Sequence, residues 1–451
     1  MSAIALVEDY LKGRNDSLKA VKESLDLCER DRNGSFLNLD RKGAIAAAEL
    51  SQKRYSQGNP IGLWDGVPIG VKDNLALAGL PWTNGMLAYQ DRIADFDASC
   101  LSDLKASGAV IIGKCHLHEA AMGTSSNNPW FGLCHHPRLY GFSPGGSSGG
   151  SAVAVASGLV PLALGTDTMG SVRIPAGCCG IFGYKPSPGK VSQHGLEILS
   201  EELDTVGLLA ENLWDLVEYG SSLVGLSEKP AVVKMESIHV GILDESDLGE
   251  CHPKVTSAYF NAVSFLQSSG ISTKKVPWEK NPSRLRKMGL ALCEKEIYKK
   301  HGWLLKSNPD SVSPELTKLM KFGKELSAEE LNSIKGKLKE SVSNMKKYWS
   351  SVDVIMTPVT PCPTHSFDVS APNHFADFTA PVNIMKRPAV AIPFSETEEG
   401  LPLGLHVIGH EGEDPQLLSM LSTLVDALKP DHAYKVVKEI ESREIVCNRN
   451  L

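Results

Sequence analysis

Apolar and polar positions follow two different periods along this chain, and the switches between them lay out its elements. Up to about residue 58 the spacing is helical. Val21, Leu25 and the Leu27-Cys28 pair share one face, and Ala44 to Arg54 is a run of strong helix formers. Gly58-Asn59-Pro60 breaks the pattern. In LWDGVPIGVKDN the period drops to two: Val67, Ile69 and Val71 alternate, which places Lys72 at the end of a predicted strand. Cys100 to Ala106 reads as helix, Gly108 stops it, and AVIIGK (109–114) reads as a short buried strand. Helix and strand taking turns predicts an α/β fold built on a sheet.

The same alternation returns in the second half. IHVGIL (238–243) is a predicted strand. Pro253 opens a helix with Val255, Tyr259, Ala262 and Leu266 on one face, and Gly270 closes it. Residues 274–347 are polar and lysine-rich, with a helix predicted from Ser327 to Tyr348. Glu325, Glu329, Glu330 and Glu340 interleave with those lysines, so the region reads as a solvated helical face and not as a nucleic-acid surface. VDVIMTP (352–358) and PLGLHVIG (402–409) are further strands, and Asp414-Pro415 caps a last helix to about Leu428. No repeat or linker divides the chain. The expected organisation is a helical segment over 1–58 packed on the core, one large domain over 59–430 with a variable helical region at about 274–347, and a tail over 431–451.

Composition mainly excludes. Of 451 residues, 42% are hydrophobic and 22% charged, ample for a core and ordinary for a globular protein. The net charge of −7 provides no basic field to draw nucleic acid or anionic lipid. No apolar run is long enough to span a bilayer, and the first 30 residues, with Glu8, Asp9, Lys12 and Arg14, do not read as a secretory leader. Ten cysteines without paired CxxC spacing read as reduced thiols, so a cytoplasmic protein is expected.

One stretch does not read as ordinary core. Ser143 to Arg173, SPGGSSGGSAVAVASGLVPLALGTDTMGSVR, places two glycine-serine turns around a small-residue helix and an apolar strand. Such a segment packs poorly but lets backbone approach a ligand closely. Walker spacing and its lysine are missing, and no GxGxxG follows a strand, which argues against a nucleotide site. The second turn, TDTMGS, lets the N–H groups of Thr168, Met169, Gly170 and Ser171 converge on one oxygen, as an oxyanion hole requires. Ser171 would then be a nucleophile, although no GxSxG elbow surrounds it and no histidine base is assignable. Lys72 is the candidate base, because burial at a strand end would favour its neutral form.

GVPIGVKDN, PGGSSGGS and GTDTMGSVRIPAGCCGIFGYKPSPG, in that order, resemble the amidase signature family. LDTVG (203–207), DVIMTP and LPLGLHVIG continue the resemblance, which covers roughly 60–225 and 350–428 and fades over 230–345. It implies a single α/β domain whose mixed, twisted sheet is covered by helices on both faces. It also implies a Ser-cisSer-Lys triad of Lys72, Ser147 and Ser171, with a cis peptide between Gly146 and Ser147. Ser148 becomes a hydrogen-bonding neighbour, and Asp167, Arg173 and Thr166 brace the nucleophile turn. The implied activity is hydrolysis of a small-molecule carboxamide through an acyl-enzyme on Ser171, without metal or organic cofactor. The partner is then the amide substrate, with a homodimer as an open question. The glutaminase subunit of a tRNA-dependent amidotransferase carries the same motifs and is the alternative. Against it, residues 274–347 lack the arginine-containing segment expected to bind the carboxylate of glutamine.

Three positions depart from the family pattern: Met169 stands for a glycine, His406 for a glutamine and Glu202 for a serine. Met169 is tolerable if its φ is not positive. Cys115, His116, His118, Glu119, Cys134, His135 and His136 offer donors for zinc, but their spacing fits no zinc template, so these residues are expected to serve loop and core.

Overall fold

Successive residues along the strands sort to opposite faces of one mixed sheet. The computed structural model describes residues 1–428 apart from 229 and 280, so the tail expected over 431–451 lies outside the described residues. Among these the sheet has eleven strands: β1 (Phe36–Leu39), β2 (Pro68–Lys72), β3 (Val110–Cys115), β4 (Leu162–Asp167), β5 (Phe182–Lys185), β6 (Thr205–Ala210), β7 (His239–Ile242), β8 (Ser272–Lys275), β9 (Val354–Pro358), β10 (Ala389–Glu396) and β11 (Pro402–Ile408). Their spatial order is β1-β3-β2-β4-β6-β5-β10-β11-β9-β7-β8. Parallel pairs, β2 with β3 and β4 and β9 with β7, flank an antiparallel centre.

The period of two explains the double-sided core. Leu162 and Leu164 of β4, Val206 and Leu208 of β6, and Val390 and Ile392 of β10 join one buried cluster. Their in-between neighbours Ala163, Leu209 and Ala391 join a second with Val21 and Leu25, Ala44 and Ala48, and the helix Gly149–Ala156. Helices therefore cover both faces. That central helix is built of Gly, Ala, Ser and Val for a steric reason: a Cβ on Gly150 would lie 2.5 Å from both His116 N and Ser35 O. No helix among the described residues is long and apolar enough to cross a membrane.

The predicted helices at 41–56, 99–106, 253–268 and 414–428 form, and Ser327 caps Ala328–Trp349 through a capping box with Glu330. Five strands do not follow from the sequence pattern: β1, β5, β6, β8 and β10. FLNL (36–39) is a half-buried edge strand inside the segment expected to be helical, so residues 1–58 contribute to the sheet itself. AVAIPFSE (389–396) pairs between β5 and β11, and Pro393 interrupts its strand signal.

Candidate active site

β2 ends on Lys72, β4 on Asp167, and the turn before the helix Gly149–Ala156 carries Ser147, so three segments deliver side chains to one end of adjacent strands. Lys72 is fully buried, and its Nζ lies 2.7 Å from Ser147 Oγ, 2.8 Å from Thr166 Oγ1 and 3.5 Å from Thr166 O. Asn74 Nδ2 donates to the same Thr166 Oγ1 at 2.9 Å. Burial lowers the Lys72 ammonium to about 7, against the opposing pull of Asp204 and Asp167. The Gly146–Ser147 peptide is cis.

Ser148 is the neighbour its position suggested. Its Oγ donates to Thr166 O and accepts from Thr166 N, both at 3.2 Å, and its N–H donates to Ser171 O at 3.2 Å. The structure thus brings Lys72 and Ser147 into hydrogen bond and sets the Ser171 backbone beside Ser148. Ser171 Oγ has no hydrogen-bond partner among the described residues, and Ser171 lines a cavity of about 680 Å³.

Asp167 and Arg173 brace the turn from behind. Both are fully buried, with Arg173 Nε 2.9 Å from one carboxylate oxygen and Nη2 2.8 Å from the other. Burial raises the Asp167 carboxyl, but Arg173, aided by Lys185 and Asn383, overrides this and holds it below the usual carboxylate range. Asp167 also accepts from Gly170 N (2.8 Å) and Val172 N (3.1 Å). This corrects one of the expected oxyanion donors. Gly170 N–H is taken by Asp167 Oδ1, because the carboxylate folds under the turn, whereas Thr168, Met169 and Ser171 N–H have no partner among the described residues. Gly170 itself has φ +130°, and a Cβ there would meet Thr379 Oγ1 at 2.2 Å. Met169 is absent from the positive-φ positions, so its side chain costs the turn no backbone strain.

Several contributors went unassigned in the sequence. Asn383 donates to Asp167 Oδ1 (2.9 Å) and Asp167 O (3.1 Å) and accepts from Arg173 Nη2. His406 faces Arg173 Nη1 through Nε2 at 2.9 Å, and burial, then Arg173, keep the ring neutral. A neutral ring nitrogen accepts a hydrogen bond as a glutamine carbonyl would, which explains how histidine stands at that position. Asp204 accepts from Thr168 Oγ1 at 2.6 Å, and burial raises it to about 6. Glu202, the third departure, lies outside this network and pairs with Lys335 on the surface. Arg286, from the region expected to lack an arginine for the site, stands on the cavity wall.

The histidine-cysteine cluster disperses. His116 Nε2 faces Gly132 O at 3.0 Å, His136 Nε2 faces Cys178 O at 2.9 Å, His135 stacks on Tyr140, and Glu119 accepts from Trp130 Nε1 at 2.7 Å. No group of three or more of these side chains among the described residues is placed to hold a metal ion. Only His118 of the cluster reaches the cavity.

The sequence profile of the family described as Amidase matches residues 19–418. The chain belongs to the amidase family. A glutamyl-tRNA(Gln) amidotransferase subunit of Chlamydia abortus is 29% identical to it, over 92% of this chain and 93% of the relative. A crystal structure of an amidase superposes with a TM-score of 0.88 at 27% identity, covering 95% of this chain and 99% of the other. A 6-aminohexanoate cyclic dimer hydrolase shares the fold at TM-score 0.82 and 22% identity, over 95% and 97% of the two chains.

Proposed function

We propose that this amidase hydrolyses a small-molecule carboxamide, with Ser171 as nucleophile, Ser147 as proton relay and Lys72 as base. The observation that carries the reading is the buried Lys72 amine 2.7 Å from Ser147 Oγ, with the next residue, Ser148, bonded through its N–H to the backbone of Ser171, which lines the cavity. A neutral amine has two N–H donors and one lone pair. Two donors suit Thr166 Oγ1 and Thr166 O, which leaves the lone pair for the Ser147 hydroxyl proton. Ser147 then accepts the proton of Ser171 as Ser171 Oγ attacks the amide carbon. The N–H groups of Met169 and Ser171, with Thr168, stabilise the oxyanion. The relay returns a proton to the leaving amine, and water releases the carboxylate along the same path.

This role fixes a pH dependence. Burial lowers the Lys72 pKa, so the competent neutral form is the one present above about 7. The logarithm of kcat/KM should therefore rise with unit slope below that point, about tenfold per pH unit, and level off above it. An acid limb centred near the ordinary lysine value would overturn the lowered Lys72 pKa, and a Lys72→Arg variant with an unchanged profile would remove Lys72 as the base.

The second reading, glutaminase subunit of a tRNA-dependent amidotransferase, is favoured by the near full-length likeness to the Chlamydia abortus protein. One measurement separates the two. Purified protein that releases ammonia from simple primary amides unaided supports the stand-alone hydrolase; ammonia appearing only from glutamine with a co-purified partner supports the amidotransferase role.

A further inference from the structure

The cavity over Ser171 has a mixed wall, apolar along part of its length and charged at three places. Met122, Ile174, Leu199, Leu290, Leu319 and Phe375 supply apolar wall, and the charged lining residues are Arg286, Glu315 and Asp368. Arg286 is already committed: its Nε donates to Asp377 Oδ1 at 2.6 Å, and Ser283 Oγ donates to the other oxygen of that carboxylate at 2.6 Å. This pair is electrically neutral. Glu315, near the start of the helix Pro314–Glu325, and Asp368, in the loop before Phe375, are both exposed, and neither has an ion-pair partner among the described residues. Among the described residues the Asp368 side chain accepts only a serine hydroxyl, Ser366 Oγ at 2.9 Å. The two histidines on the wall add no positive charge near neutral pH, since burial lowers His118 to about 4 and lowers His365 as well. The balance left at the solvent edge is two uncompensated carboxylates.

Resting on the amidase reading above, we propose that the substrate is an amide with an apolar acyl body and a cationic far end, and that Glu315 and Asp368 select for that charge. An apolar chain bound with its carboxamide at Ser171 runs along the wall toward those carboxylates. An ammonium there is attracted, whereas a carboxylate, such as that of a dicarboxylic acid monoamide, is repelled. Exposed carboxylates act through high dielectric, so each is worth about two- to threefold on the cation and the inverse on an anion. Together they give a preference for cation over anion of roughly 16- to 80-fold at low salt.

The test compares kcat/KM for three primary amides of equal length: octanamide, 8-aminooctanamide and 8-amino-8-oxooctanoate. The expected order is cation, neutral, anion, with the cation-to-anion ratio shrinking toward a few-fold in 0.5 M salt. In the Glu315→Gln/Asp368→Asn double variant the ratio should fall to about threefold or less at low salt. An anion turned over as well as the cation overturns the proposal, all the more if Arg286→Gln abolishes its turnover, and so does a ratio that survives the double variant. Octanamide hydrolysed with no charge preference defeats only this inference. If none of the three is cleaved and a fluorophosphonate fails to label Ser171, the amidase reading itself fails.

Discussion

Ser171→Ala is expected to lower kcat by about four to six orders of magnitude while leaving the fold intact. The size follows from what the hydroxyl does in the proposed mechanism. Without Oγ no acyl-enzyme forms, and only substrate binding and the oxyanion donors remain, a residue of catalysis that other serine hydrolases show on losing one member of a triad. The intact fold follows from local geometry. Ser171 Oγ has no hydrogen-bond partner among the described residues, so its removal leaves no buried group unsatisfied. The backbone donors that hold the turn, Gly170 N–H and Val172 N–H on Asp167, do not involve it. Kinetics, thermal unfolding and fluorophosphonate labelling of the variant together decide. An active Ser171→Ala protein ends the proposal, and an inactive one that has also lost its unfolding transition reports on folding instead.

The parts of this architecture that were legible in the sequence are those written locally. Val67, Ile69 and Val71 announce β2 because a buried strand needs that period, and it delivers Lys72 to the strand end. The glycine-serine turns announce close backbone packing, and at Gly150 and Gly170 a Cβ would meet neighbouring protein atoms at 2.5 and 2.2 Å. What stayed hidden depends on distant partners. FLNL is too short and too evenly half-buried to show a period, and β10 loses its signal at Pro393. Asn383 reaches Asp167 across 216 positions and His406 reaches Arg173 across 233, and neither residue type signals such a role by itself. The capture of Gly170 N–H by Asp167 is likewise a matter of how the turn folds back; only the neighbourhood of the two residues is visible in TDTMGS.

That hidden network gives the other large effect. Arg173→Met is expected to destabilise the protein by about 3–5 kcal/mol, because it removes the cation from a fully buried carboxylate. The side chain makes two bonds to Asp167 and meets His406 and Asn383, so methionine fills much of the volume and replaces none of the bonds. Asp167 would remain dehydrated, with N–H donors from Gly170, Val172, Asn383 and the backbone of position 173 around it and Lys185 as the nearby cation left. Its carboxyl is held low in the folded state chiefly by Arg173 acting against burial, so the variant should lose that support and take up a proton more readily. The sign is fixed by linkage: a depressed carboxyl pKa contributes stability above its unfolded value, lost as pH falls through the folded one. Without Arg173 that contribution shrinks, and the gap between wild type and variant should narrow in acid. Denaturant unfolding of Arg173→Met, Asp167→Asn and the double variant checks the account, since a true pair makes the double variant cost less than the sum of the singles. Strict additivity, or a loss under 1 kcal/mol for Arg173→Met, would show that the arginine is not what holds the buried carboxylate, and that the nucleophile turn is braced mainly by its own backbone donors.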